Sequence, residues 1–218
     1  MDVILCINSF PSLTKSQINE GKIPSDIIEI ADFLRNTFLL SNSLIQQNNL
    51  IIYCSNQFLV FPASLIIFFN GFHLRYLAPD ERGILFLLLK VHKIISGQGG
   101  KKQERKEHKK FLNNAKAQST PGIYLKRGTL SDTWELHPSL GKDYILIGNT
   151  RNQYLEQISL NNLDDAIHPD IVLVFNHCSD FDFSPPSQTS LSVLERNSWK
   201  SMFFESELIS LIQSKIHK

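Results

Sequence analysis

Between Leu50 and Phe72 the sequence reads LIIYCSNQFLVFPASLIIFFNGF, a stretch so apolar that it must be buried, either in a bilayer or in a protein core. A spanning helix needs roughly 20 apolar residues in succession. Here Ser55-Asn56-Gln57 and Pro62 cut the run into pieces near residues 49 to 54, 58 to 61 and 64 to 69. Each piece has the length of a strand, so the run predicts two or three buried strands and no membrane span.

The remaining composition narrows the class. A chain of 218 residues can form one domain or two small ones around a real core, and 42% hydrophobic with 20% charged residues is a globular balance. A formal net charge of +1 argues against a generic polyanion binder, so any nucleic-acid contact must be local. Cys6, Cys54 and Cys178 are odd in number, far apart and without a Cys-x-x-Cys, which argues against a disulfide framework and a cysteine zinc site. Reduced thiols in a cytoplasm fit that pattern. The opening MDVILCINSF lacks the basic region of a signal peptide and predicts a first strand.

After that strand, PSDIIEIADFLRNTFLLS offers Ser25 as an N-cap, with Ile27, Ile30, Ala31, Leu34 and Phe38 at helical spacing. LRYLAPDERGILFLLLK, from Leu74 to Lys90, predicts a short strand and then a helix whose first position is Pro79. Asp80 and Glu81 put negative charge on the positive end of its dipole. SGQGGKKQERKEHKK, from Ser96 to Lys110, predicts a loop followed by a polar helix or a mobile segment. It forms a polar linker near 97–118, either solvated or in contact with RNA phosphate.

Further on, PGIYLKR and DYILIGN predict short strands around a brief helix near Leu130 to Leu136. PDIVLVFNH holds five consecutive apolar residues between Pro-Asp and Asn-His, the mark of a central parallel strand. In the tail, Trp199, Met202, Phe203, Ile209, Ile212 and Ile216 recur at near-helical intervals and predict an amphipathic closing helix. The intervening CSDFDFSPPSQTS is too long for a routine turn and falls where α/β proteins keep ligands, past the carboxyl end of a parallel strand.

Several chemistries are poorly supported. GQGGKK fails the Gly-x-Gly-x-x-Gly spacing and follows a helix where the dinucleotide fingerprint needs a strand. No Gly-x-Ser-x-Gly elbow, Walker lysine loop or His-Glu-x-x-His occurs. His137, His168 and His177 have no Cys or His at ligand spacing, so no metal is expected, and Asp164-Asp165 read as solvated.

LRYLAPDER and STPGIY (Ser119 to Tyr124), in that order around a polar linker, resemble the archaeal tRNA (pseudouridine54-N1)-methyltransferase family of the SPOUT superfamily. The likeness runs over nearly the whole chain. DIIEIADFLRNTFLLS resembles the family helix ending in Phe-Leu-Ser, PDIVLVFNH the strand ending in Gly-Asp-His, and SLSVLERNSWKS the Ser-Leu-Ser-Pro-Leu-Glu stretch before the last helix. The resemblance implies a single SPOUT-like α/β domain over 1–218 with a mostly parallel sheet flanked by helices. It also implies a carboxyl-terminal trefoil knot near 140–218, an exception to the rule against threading.

From the same resemblance follow a homodimer, tRNA as partner, and S-adenosylmethionine held by the knot loops. Carried over by position, cofactor contacts fall on Leu146, on Phe175 and its loop, on Leu191, Ser192, Val193, Leu194, Glu195 and Arg196, and on Ser201. The implied reaction moves a methyl group in line from a sulfonium to N1 of pseudouridine, where positioning supplies up to roughly 7–11 kcal/mol. A base must also take the N1 proton. His177 and Asp180 stand at the strand-loop junction, and the pattern assigns the role to neither.

The departures from the family concentrate in its functional loops. Phe175 replaces a glycine, Asn176 an acidic residue, Val193 a proline, Ser201 a cysteine, and Gln46-Gln47 a pair of arginines. A benzyl group at 175 is expected to crowd a pocket that glycine would leave open. Three readings follow: a divergent enzyme acting on the T-loop, a methyltransferase of another RNA, and a SPOUT-fold RNA-binding or structural dimer that has lost methyl transfer.

Overall fold

The amino-terminal strand β1 (Asp2–Ile7) lies in the middle of the sheet that organises the molecule. The computed structural model describes residues 1–40, 43–55, 64–75, 77–129, 132, 143–148, 156–158, 170–178, 191–194 and 202–216. After β1 come β2 (Leu39–Leu40), β3 (Ser43–Leu44), β4 (Asn49–Cys54), β5 (Leu65–Asn70), β6 (Ala117–Thr120) and β7 (Ile123–Arg127). The last third adds β8 (Tyr144–Gly148), β9 (Glu156–Ile158), β10 (Val172–Asn176) and β11 (Leu191–Leu194). The helices are α1 (Lys15–Glu20), α2 (Ser25–Phe38), α3 (Glu81–Ser96), α4 (Lys102–Leu112) and α5 (Met202–Ile216).

β2 and β3 pair apart from the rest, and the other strands form one nine-stranded sheet in the order β6-β7-β5-β4-β1-β10-β8-β11-β9. From β4 to β9 every pairing is parallel, while β5, β7 and β6 continue the sheet antiparallel. The protein is thus an α/β fold on a mixed, mostly parallel sheet. The segments whose path would tie a knot, 149–155, 159–169, 179–190 and 195–201, fall outside the described residues.

Alternation along the strands sorts the core into two layers. Val3, Leu5, Leu173 and Phe175 point to the face that carries the helices, where Ile27, Phe33 and Leu34 of α2, Leu88 and Val91 of α3, Phe111 of α4 and Ile209 and Ile212 of α5 meet them. Ile4, Ile51, Leu146 and Val174 point to the other face, whose cluster holds no helical residue among those described. Central strands apolar on both faces are what a parallel sheet demands. The Leu50 run supplies two of the strands, β4 and β5, which pair from Asn49↔Asn70 to Cys54↔Leu65, and its middle piece lies outside the described residues. Among the described residues no helix is long and apolar enough to cross a membrane.

Three local expectations are corrected. Ser25 is the first helical residue of α2 and Pro24 takes the cap position, with no side-chain cap. At α3 the cap is Asp80, whose carboxylate accepts the Gly83 N–H at 2.6 Å, so Pro79 lies outside the helix and Leu74-Arg75 form no strand. A carboxylate satisfies one of the orphan donors of a first turn, which a proline ring cannot do. Of the two forms expected for the segment from Ser96 to Lys110, the loop followed by a helix is the one found, and that helix is packed on one side. α4 lies against α3 and β6, Phe111 is fully buried, and the His108 ring bonds the Ile94 carbonyl at 2.6 Å.

Glu107 anchors that helix from within. Its carboxylate accepts from Lys110 Nζ at 2.9 Å, from Gln103 Nε2 at 3.0 Å and from the Gln118 N–H at 2.9 Å, which ties α4 to β6. Burial raises its pKa, but the bonds from Lys110 and the Gln118 N–H outweigh that and hold it below the ordinary 4.5. A depressed folded value means stabilisation that is complete above pH 4.5 and lost as the pH falls through the folded value. Glu107→Gln is therefore expected to destabilise the protein at pH 7, with the gap to wild type closing below pH 4.5 in urea denaturation followed against pH.

LRYLAPDER and STPGIY turn out to be two halves of one joint. Gly122 has φ +85°, and a Cβ there would stand 2.5 Å from the Leu74 Cα and backbone nitrogen. Its carbonyl accepts the Asn70 N–H at 2.8 Å. Only glycine combines that backbone with that contact. Gly122→Ala should cost about 1–3 kcal/mol from the backbone alone, more if Leu74 cannot yield, read as a lowered urea midpoint.

Candidate functional site

β1 and β10 run side by side from Asp2↔Val172 to Cys6↔Asn176. The chain leaves them in opposite directions, from β1 through α1 and α2 to β4 on one side and from β10 to β11 beyond β8 on the other. Parallel neighbours whose exits part in this way open a crevice at their carboxyl ends. A cleft of about 330 Å³ is found there. Ile7, Asn8 and Ser9 from the end of β1, Asp26 and Glu29 from the start of α2, and His177 just past β10 line it.

Each polar group is placed by a local cause. α2 begins at Ser25, so Asp26 falls in its first turn, on the positive end of the helix dipole, and accepts the Ser25 hydroxyl at 3.1 Å. Glu29 follows three residues later on the same side of the helix. The His177 N–H donates to the Cys6 carbonyl at 2.9 Å and so extends the β1–β10 pairing by one residue. Phe33 of α2 meets the Phe175 ring edge-on at 4.9 Å and the His177 ring at 6.3 Å. That aromatic contact seats α2 over β10 and holds the imidazole beside the helix start.

Two carboxylates, an imidazole, an amide and a hydroxyl suit a ligand rich in hydroxyls or carrying positive charge, and repel free phosphate. Carboxylates at the carboxyl ends of parallel strands hold ribose hydroxyls in dinucleotide folds. Thiol chemistry is poorly served. Cys6, Cys54 and Cys178 are buried thiols, and burial first, with the neighbouring thiols second, pushes Cys6 well up. Cys54 is raised in the same way, so neither supplies a thiolate near neutral pH. Among the described residues no group of three or more His, Cys, Asp or Glu is placed to hold a metal ion.

The residues expected to touch a cofactor are brought onto three adjacent strands. Leu146 of β8 pairs with Val174 of β10 and Val193 of β11, and Ile147 pairs with Phe175 and Leu194. Three of the side chains are core, however. Leu146 is 1% exposed in the layer away from the helices, while Phe175 at 0% and Leu194 at 2% lie in the helix-side layer. The expectation that Phe175 crowds a pocket is therefore corrected, because its ring fills the interior against Phe33. Leu191, Ser192 and Val193 lie on β11, and Asp180, Glu195, Arg196 and Ser201 fall outside the described residues.

Asn8, Ser9, Asp26 and Glu29 escaped the sequence reading. The two acids look like ordinary charges near a helix start, and only the insertion of β10 beside β1 brings them to His177. No protein-family model matches the chain, and no significant match is found among curated proteins. Phe175→Gly should destabilise the fold by about 3–5 kcal/mol, the usual cost of removing a buried ring. A double-mutant cycle of Phe33 and Phe175 with alanine, read by urea denaturation, should return a coupling of about 0.5–1.5 kcal/mol.

Proposed function

We propose that this protein is an S-adenosylmethionine-dependent RNA methyltransferase that acts as a homodimer and methylates N1 of pseudouridine in the tRNA T-loop. The observation that carries the reading is the acidic, imidazole-bearing cleft at the point where β1 and β10 part. An adenosyl sulfonium offers ribose hydroxyls and a positive charge and brings no phosphate, which is the chemistry that Asp26, Glu29, Asn8 and Ser9 accommodate. The resemblance in the two joint-forming stretches gives the reaction its class.

The strand order supports the same reading. β10 is inserted between β1 and β8, and β11 returns beyond β8, so the last third of the chain crosses β8 twice. Such crossings are the raw material of a threaded fold, and the proposed knot belongs to this reading. The chain that follows β8, β10 and β11 starts from the same end of the sheet as the cleft. In the mechanism, Asp26 and Glu29 orient the nucleoside and offset the sulfonium charge. When bound, the cofactor would supply the methyl group to the target nitrogen and leave as a neutral thioether, and the His177 imidazole would take the proton from that nitrogen.

Calorimetric titration with S-adenosylmethionine is the deciding experiment, and a T-arm transcript with pseudouridine in its loop should then gain one methyl group at N1. Absence of cofactor binding at millimolar ligand overturns the proposal. Activity on a ribosomal RNA fragment alone keeps the reaction and replaces the substrate. Glu29→Gln should weaken cofactor binding about tenfold, the loss of one hydrogen bond to a charged group, while His177→Gln should lower turnover and leave the affinity in place.

A further inference from the structure

The outer face of α4 carries charge that the cleft does not use. Lys102, Arg105, Lys106 and Lys109 recur at steps of three and four residues, so they lie in one row roughly 10 Å long. All are exposed, and together they border a shallow depression of about 670 Å³. The acids of the same helix are engaged elsewhere. Glu107 is buried and holds Lys110 and the Gln118 N–H, and Glu104 accepts the Lys101 N–H at 3.0 Å and lies 4.0 Å from Lys93 Nζ. The row thus presents four cations in a chain whose formal net charge is only +1.

We infer that this row docks the phosphate backbone of a structured RNA, holding the substrate at a second point apart from the cleft. The inference rests on the proposed action on RNA, though not on methyl transfer itself. Cations at fixed spacing on a helix clamped by Phe111 and Glu107 match a polymer of evenly repeated phosphates, and Arg105 adds a fork that can grip one of them bidentately. A lipid surface fits poorly, because an interfacial helix needs an apolar face to bury, and of the two apolar residues of α4 Phe111 is in the core and Leu112 alone is exposed. α4 lies beside β6, four strand spacings from β1, or roughly 20 Å across the sheet. A folded RNA spans that gap and a small cofactor does not.

The test measures binding of a tRNA transcript to the full chain over a range of salt. It compares wild type with a variant carrying Lys102→Gln, Arg105→Gln, Lys106→Gln and Lys109→Gln. Losing four phosphate contacts should flatten the slope of log K against log salt by about 3 and weaken binding at least about tenfold. Thermal melting and S-adenosylmethionine affinity should be unchanged. Replacing Lys102, Lys106 and Lys109 with arginine should retain the wild-type slope. RNA affinity and slope that survive the glutamine changes overturn the inference, as does wild-type protein that binds anionic vesicles but not tRNA. Slope loss in a protein that binds no S-adenosylmethionine removes methyl transfer and leaves this docking face standing.

Discussion

The pairing of β10 with β1 is the constraint on which the rest of the molecule depends. It joins the start of the chain to its last third through five register pairs, the inner three of which are wholly apolar and face both sides of the sheet. Parallel strands cannot be joined by a tight turn, so the connection had to be long, and each strand had to be covered on both sides. Once β10 lies beside β1, Phe175 falls under Phe33, α2 is fixed over the sheet, and His177 reaches the first turn of that helix. Burying the two rings contributes roughly 1.5–3 kcal/mol each, so the contact that positions the imidazole also stabilises the fold.

α5 reinforces the same helix from the other end. The Ser210 hydroxyl donates to Asn36 Oδ1 at 2.7 Å, and the Gln213 and Asn48 amides both donate to the Thr37 carbonyl at 2.7 Å. The last carbonyls of α2 have no partner within the helix and require such donors. Ile209 and Ile212 bury the intervening surface. α2 is therefore held at its end by α5 and along its middle by the aromatic contact, which leaves the cleft on a rigid support. Preorganisation of that kind is what a transfer reaction governed by alignment needs.

How much of this was legible depended on whether the information was local. β1, β4, β5, β7, β8 and β10 could be read because each is a short apolar run, and α2 and α5 because their apolar residues recur at helical spacing. β9 and β11 have no such run, and the neighbour of β1 is nowhere encoded in β1 itself. A polar helix was legible at α4 but its packing was not, because that rests on Phe111 and a carboxylate held from three sides, which in sequence look like a charged, solvated stretch. The direction of Phe175 was legible in the period of the strand, because residues 171, 173 and 175 share one face.

The central claim is that the carboxyl ends of β1 and β10 hold an adenosyl sulfonium. Amide hydrogen exchange with and without S-adenosylmethionine addresses it directly, because exchange reports local opening at each segment. Cofactor bound there should slow exchange in peptides covering Ile7 to Ser9, the first turns of α2 and the residues around His177, with little change in α4. Unaltered exchange at all three of those segments in the presence of saturating cofactor would contradict it.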